Sequence, residues 1–453
     1  MGRGGPPGHG QKPSMRAALA VFQYPVYRQL WVSSAFAFMG MQMLMVARSL
    51  LAWDLTHSFT AIGWISLSFG LPMLAFALVG GAVADRVDKR NLTLLTNTLI
   101  GIMAVVTAVM VATDTITFEI LFVVGLLQGT LSAIGMPART PLMAGVVGQE
   151  NMMSAIAMSN TAMNATRLFG PALAGVIAGA WGIEWAYGAQ AVAYVLATLT
   201  MLTVPSGLGA EARSQRPASN VLSEIGVGLS YVMRHPTLRL LMGMMFITTF
   251  FAMPHVMLLA GFVQRDLGQS KEAYGYLQSI SGIGALVGSL AVATATGFDR
   301  KPLLQWSCGL LGGGGLMLLT LLSGAFGFGG AVAATLVLGL FLTSYQTLNS
   351  TMIMDASEPQ YYGRVMSINM LTFSAMPIMA MPLGVLADRV GAPALFVAQG
   401  ALVVGFMVLV ASVNPKYTFS RQVPRPVPPM PGGPSGERMP AGGGYAGAPV
   451  RRP

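Results

Sequence analysis

The sequence predicts an all-α membrane protein with twelve spanning helices, arranged as two pseudo-symmetric six-helix bundles. Three observations carry this. Only 9% of the 453 residues are charged while 54% are hydrophobic, against about 25% charged in a soluble domain. The apolar residues fall in long runs rather than in short alternating strands, which excludes a β-barrel. Lysine and arginine concentrate on alternate loops. So little charge cannot coat a globular surface. Lipid offers backbone N–H and C=O no partner, so each span must be a helix.

Residues 1–27 are expected to form a disordered cytoplasmic tail, its first part rich in Gly and Pro. An N-terminal bundle at 28–205 holds spans at 28–53, 60–84, 91–113, 118–138, 153–179 and 184–205. A cytoplasmic linker follows at 206–236. Within it Val221, Ile225, Leu229 and Val232 share one helical face, with Glu224 and Ser230 elsewhere, which predicts an amphipathic helix. The C-terminal bundle at 237–413 holds spans at 237–263, 272–296, 302–324, 328–354, 364–387 and 391–413. Residues 414–453 form a second tail, rich in Pro and Gly and lacking the apolar surface needed to fold. No cleavable signal segment precedes the first span. The single cysteine, Cys308, forbids an intramolecular disulfide.

With the N-terminus placed in the cytoplasm, 21 of the 26 Lys and Arg fall in cytoplasmic segments. Three lie in external loops (Arg265, Lys271, Arg389), and Arg48 and Arg167 fall inside spans. This asymmetry predicts an inner-membrane protein with both termini cytoplasmic. The net charge of +10 therefore reports orientation, and no nucleic-acid partner is expected. The halves also echo each other. Asp88-Lys89-Arg90 and Asp299-Arg300-Lys301 lie 211 positions apart, as do Pro171 and Pro382, which suggests a parallel repeat.

The loop after the second span reads G-G-A-V-A-D-R-V-D-K-R from Gly80 to Arg90. It resembles the signature loop of the major facilitator superfamily, G-x-x-x-D-R-x-G-x-R/K, with Gly81, Asp85, Arg86, Lys89 and Arg90 matching. Asp88 stands where that pattern has its second glycine. A carboxylate is stabilised at a helix N-terminus, so Asp85 is expected to dock on the eleventh helix near Gly363 and Arg364. That contact would latch the halves in an outward-open state. The fifth span carries R-L-F-G-P-A-L-A-G, Arg167 to Gly175. Its Gly170, Pro171 and Gly175 resemble the core of an exporter motif, and small residues at this spacing also serve ordinary helix packing.

The stretches Gly135–Met143, Glu224–Leu241 and Tyr361–Ser367 resemble the twelve-helix drug–proton antiporter branch that includes the enterobactin exporter and macrolide-efflux proteins. The resemblance implies the major facilitator fold and proton-driven efflux of a bulky, largely apolar small molecule. One departure is Gly125, where many drug antiporters carry an arginine three residues before a Gln-Gly pair, here Gln128-Gly129.

Polar groups inside a span usually face a cavity or a partner. Asn160, Asn164 and Arg167, at i, i+4 and i+7, share a face of the fifth span. Tyr345, Gln346 and Asn349 lie on the tenth. The resemblance implies that the first, fourth, seventh and tenth helices line the cavity, which adds Gln42, Gln128 and His255. None of the sixteen acids is mid-span. Asp54, at the outer end of the first span, and His255 are therefore the candidates for proton coupling.

No G-x-x-x-x-G-K-S/T loop, H-E-x-x-H or G-x-S-x-G occurs, which argues against an ATP-driven pump and a membrane enzyme. No metal or cofactor is expected. The expected partners are a small-molecule substrate, protons and the lipid bilayer, with the chain as a monomer. An importer of the same fold, or a membrane sensor that does not transport, remains an alternative.

Overall fold

A computed structural model describes residues 20–208, 221–294, 300–358, 361–418 and 420. Among them the regular structure is helical. The N-terminal group comprises α1 (Pro25–Thr56), α2 (Phe59–Arg86), α3 (Lys89–Ala112), α4 (Phe118–Ala180) and α5 (Ile183–Leu202). The linker helix is α6 (Val221–Arg234). The C-terminal group comprises α7 (Pro236–Ile247), α8 (His255–Gly261), α9 (Lys271–Thr294), α10 (Lys301–Asp355), α11 (Tyr362–Ser374), α12 (Met376–Val390), α13 (Ala392–Val413) and the single turn α14 (Pro415–Thr418).

Local chemistry sets the ends. Ser58, Asp88 and Thr117 each cap a helix by accepting a hydrogen bond from a backbone N–H three residues on. Asp88, in place of glycine, is thus the N-cap of α3, and its second oxygen accepts from Gly207 N–H at 2.7 Å. Arg90 donates to the Leu202 and Val204 carbonyls at 2.9 and 3.1 Å, closing the end of α5, where a cation meets the negative end of the helix.

The long helices α4 and α10 each fold at a glycine with positive φ, Gly148 (φ 72) and Gly327 (φ 58), a conformation open to glycine. Their arms return side by side. Ser159 Oγ lies 3.1 Å from Met143 Sδ, and Gln305 Nε2 donates to Asn349 Oδ1 at 2.5 Å. In a straight helix residues 16 and 44 apart would be roughly 24 and 66 Å distant. A π turn between α7 and α8 (Thr248–Ala252) and a second one after α8 (Phe262–Asp266) keep Pro236–Asp266 as one continuous rod. Pro254 supplies no N–H to the helical ladder there.

Nine helical stretches among the described residues are long and apolar enough to cross a membrane. Those expected at 153–179 and 364–387 are helical but fall outside that set. Asn160, Asn164 and Arg167 dilute the first. The second is broken at Ala375, just before Pro377.

The termini differ from expectation. Residues 20–27, assigned to a disordered tail, pack instead: Val21 and Tyr27 are fully buried, and Tyr27 donates to the Ala155 carbonyl at 2.9 Å. At the other end α14 is ordered because Tyr417 is buried and donates to Gln305 Oε1 at 2.9 Å. Residues 1–19, 209–220 and 421–453, which hold the rest of both tails and part of the linker, lie outside the described residues. In α6 the buried face is Gly228, Tyr231 and Val232, while Leu229 is exposed. Gly228 sits against Arg364 and Ile368 of α11, and Tyr231 stacks on Tyr361 at 4.0 Å.

Candidate functional site

The two helix groups meet along two seams, α2 against α11–α12 and the second arm of α4 against α9. Call the membrane end that carries the start of α1 the near end, and the end that carries His57 and Gly391 the far end. Glycine allows the seams to close on backbone. A Cβ on Gly175 would lie 2.4 Å from Gly275 Cα, and one on Gly384 would lie 2.4 Å from the Phe59 carbonyl oxygen. Gly63 and Gly70 press likewise on Met381 and Pro377.

The far end is also closed by polar contacts. Asp388 accepts hydrogen bonds from Ser58 Oγ (2.7 Å) and from the N–H groups of Phe59 and Thr60 (2.8 Å each), at the N-terminus of α2. Burial pushes the Asp388 carboxyl up, but the Thr60 and Ser58 hydroxyls and the Thr60 and Phe59 N–H groups outweigh it and hold it below the usual range. Asp54 of α1 pairs with Lys271 of α9 at the same end.

Towards the near end the same stripe of α4 opens. Pro171 and Gly175 are buried against Gly275, whereas Asn160, Asn164 and Arg167, below them on that face, are exposed. On α9 the facing stripe is packed at Gly275, touches the Arg167 carbonyl at Gly282, and is exposed at Leu286. Met136 and Thr140 on α4 and Thr351 and Met354 on α10 are exposed at this end too. The helices therefore diverge from a closed far end to a cavity open at the near end. Arg167 has no hydrogen-bond or ion-pair partner among the described residues, which suits a wet cavity and not a helix interface.

The remaining expected site residues lie as follows. Gln42 and Met39 pack on Gly170. Gln128 is buried, with neither amide atom partnered among the described residues. His255 is buried, its Nδ1 2.6 Å from the Ala252 carbonyl and its ring edge-on to Phe396. Gln346 Nε2 reaches Met253 Sδ at 3.4 Å. Tyr345 is buried, and Asn349 joins the Gln305–Tyr417 network inside the C-terminal group. The side chains of Gly81 and Asp85 lie outside those described. Arg86 is exposed and Lys89 buried. Gly363 has open space around it, and Arg364 lies over the Tyr361 ring at 5.7 Å. Gly125 has no room for an arginine: a Cβ there would meet Ser68 Oγ at 2.0 Å.

Two features escape the sequence reading. Arg139, counted there among loop cations, sits within a helical arm that continues past 138. Asp388 had a signal that was available: G-x-x-A-D-R-V occurs at both Gly81–Val87 and Gly384–Val390. One copy ends α2 at the near end and the other ends α12 at the far end.

Two helix groups, glycine seams between them, and a polar cavity closed at one end define a membrane transport protein. The family model of the Major Facilitator Superfamily matches residues 30–376 and 246–442. The chain belongs to that superfamily and is a multi-pass membrane transporter, not an enzyme. It is similar to the MFS-type transporter YfiS of Bacillus subtilis, 25% identical over 404 residues covering 84% of this chain and 90% of that one. It is also 25% identical over 182 residues to the enterobactin exporter EntS of Salmonella typhi, a stretch covering 40% of this chain and 44% of the exporter. The match thus spans less than half of the exporter's length. Among solved structures, the nucleoside transporter NupG superposes with a TM-score of 0.64 at 14% identity, covering 86% of this chain and 98% of that one. A POT family transporter in complex with a thioalcohol-conjugated peptide gives 0.65 at 12% identity, covering 88% and 97%. These two likenesses carry the fold.

Proposed function

We propose that the chain is a secondary active exporter of a bulky, largely apolar small molecule, coupled to protons and working by alternating access. It crosses the inner membrane twelve times as a monomer. The near end and both termini are cytoplasmic, and the bundles of residues 28–205 and 237–413 rock about the seam. The observation that carries this reading is the pairing of a far end clamped by Asp388 with a cavity open at the near end. That is one of the two states an alternating carrier must visit. The exporter core at Gly170, Pro171 and Gly175 and the similarity to the enterobactin exporter support the outward direction. The charge asymmetry of the loops supports the orientation.

Asp54 and His255 carry the proton in this reading. Protonating Asp54 removes the charge that holds Lys271 and loosens the far gate, while His255 is enclosed and answers only when its helix moves. Asp85 then takes over as the latch of the opposite state, on the near end of α11. The test is flux: purified chain in liposomes, with a pH gradient imposed and efflux of a dye or macrolide followed. Substrate movement against its gradient that collapses with a protonophore supports the reading. Flux indifferent to the gradient removes proton coupling, and absence of flux for every substrate class favours a membrane sensor.

A further inference from the structure

We infer that a pocket inside the N-terminal helix group binds the acidic group of the transported molecule, so that the substrate is an organic acid with an apolar body. This rests on the export reading above and names its substrate class.

The pocket lies between α1, α3, the first arm of α4 and α5, and has a volume of about 30 Å³. That is room for one carboxylate-sized group and not for a whole substrate. Two of its polar groups, Arg139 and Asn97, present donors to it. Arg139 Nη2 donates to Asn97 Oδ1 at 3.4 Å, and the guanidinium lies over the Phe38 ring at 5.2 Å. Asn97 is only 1% exposed, and its Nδ2 has no partner among the described residues. The amide oxygen is turned to the cation, which leaves the NH₂ group unpaired in the pocket, an arrangement retained when a further acceptor completes it. No carboxylate lines the pocket, and none pairs with Arg139 among the described residues.

A guanidinium and an amide N–H aimed at one space match the two oxygens of a carboxylate or a comparable anion. The lining also carries the Thr96, Ser132 and Tyr194 hydroxyls, and its apolar part includes Phe38, Met41, Ile100, Leu131 and Met136. Met136, on the rim, is exposed. It lies on the side of its helix away from Val123 and Leu127, exposed apolar side chains of the kind that suit lipid. The mouth therefore gives onto the interior cavity, and the apolar bulk of a ligand would remain there. The sign of the field agrees. Arg48, Arg139 and Arg167 project from the N-terminal helices, while the acids among the described residues lie near helix ends, kinks or connections. A cationic guest would meet uncompensated positive charge, and an anionic one is attracted.

The experiment measures thermal unfolding of the full chain in detergent against rising sodium benzoate, with benzamide, sodium chloride and sodium phosphate at matched ionic strength. Benzoate should raise the midpoint saturably and benzamide should not. Asn97→Asp, which supplies Arg139 with an internal carboxylate, should abolish the response while leaving the protein folded. Arg139→Lys should keep a response at about tenfold weaker affinity, because the bidentate fork is lost. Equal stabilisation by benzamide, or a full benzoate response in Asn97→Asp, would overturn the assignment. Chloride or phosphate acting as well as benzoate would make this an inorganic-anion site and also overturn it. Benzoate binding without transport of any organic acid in liposomes would leave the pocket standing and remove the export reading instead.

Discussion

Asp388 ties α12 to Ser58 at the start of α2: one carboxylate oxygen takes the Ser58 hydroxyl at 2.7 Å and the Thr60 N–H, and the other takes the Phe59 N–H. The contact joins residues 330 positions apart in opposite helix groups. It is a helix cap supplied from another helix, and it can form only when the far end is closed.

Asp388→Asn removes the charge and one acceptor at this cap. Hydrogen bonds to a charged group contribute about 1.5–3 kcal/mol, so a loss of about 2 kcal/mol shifts the far-closed to far-open ratio roughly thirtyfold. Spin labels at Thr115 and Gln269, both exposed at the far end, should report a longer mean separation in the variant. An unchanged distance distribution would show that the glycine seams alone hold this end.

The same carboxyl predicts a pH response. Its value in the clamped state is lowered from 3.8, so the charged form favours the clamp. That contribution is fully present above pH 3.8 and is lost as the far-side pH falls through the lowered value. The two labels should therefore stay close at any far-side pH above 3.8 and separate only as the pH is taken below it, in the wild type but not in Asp388→Asn.

Gly175→Ala should be costly where Gly188→Ala is not. A methyl on Gly175 meets the Gly275 backbone at 2.4 Å, which cannot swing aside, whereas Gly188 has nothing within 4 Å. The first variant should lose the far-closed population and slow substrate flux, with overpacking of about 1–3 kcal/mol. The second should leave the label distances and flux as in the wild type.

Asp54→Asn should uncouple substrate movement from protons more than it weakens folding, because the Asp54–Lys271 pair is partly exposed. Exposed pairs contribute about 0–1 kcal/mol. Substrate-driven proton movement in vesicles should fall in Asp54→Asn and in Lys271→Gln alike. Intact coupling in both would remove Asp54 from the proton path.

Much of this was legible in the chain. The apolar runs fixed most helices, since lipid leaves the backbone few choices, and i, i+4, i+7 spacing correctly placed Asn160, Asn164 and Arg167 on one face. The ends were less legible. Tyr27 and Tyr417 order their segments through partners more than 100 residues away, Ala155 and Gln305, which no local pattern reveals. Arg139 looked like a loop cation because helix continuation past Pro137 depends on the packing of Ala138 and Leu142, both fully buried. Asp388 has no counterpart at the 211-residue spacing that relates the parallel halves. The second G-x-x-A-D-R-V lies off that register, at the opposite end of the membrane.

The central claim is that the polar cavity communicates with one membrane face while Asp388 clamps the other. Asn164→Cys in a Cys308→Ser background, treated with a membrane-impermeant thiol reagent, tests it most directly. The account predicts fast modification in inside-out vesicles and little in intact cells, with reactivity from outside appearing when Asp388→Asn is added. Modification from outside with Asp388 intact, and none from the cytoplasmic side, would contradict it.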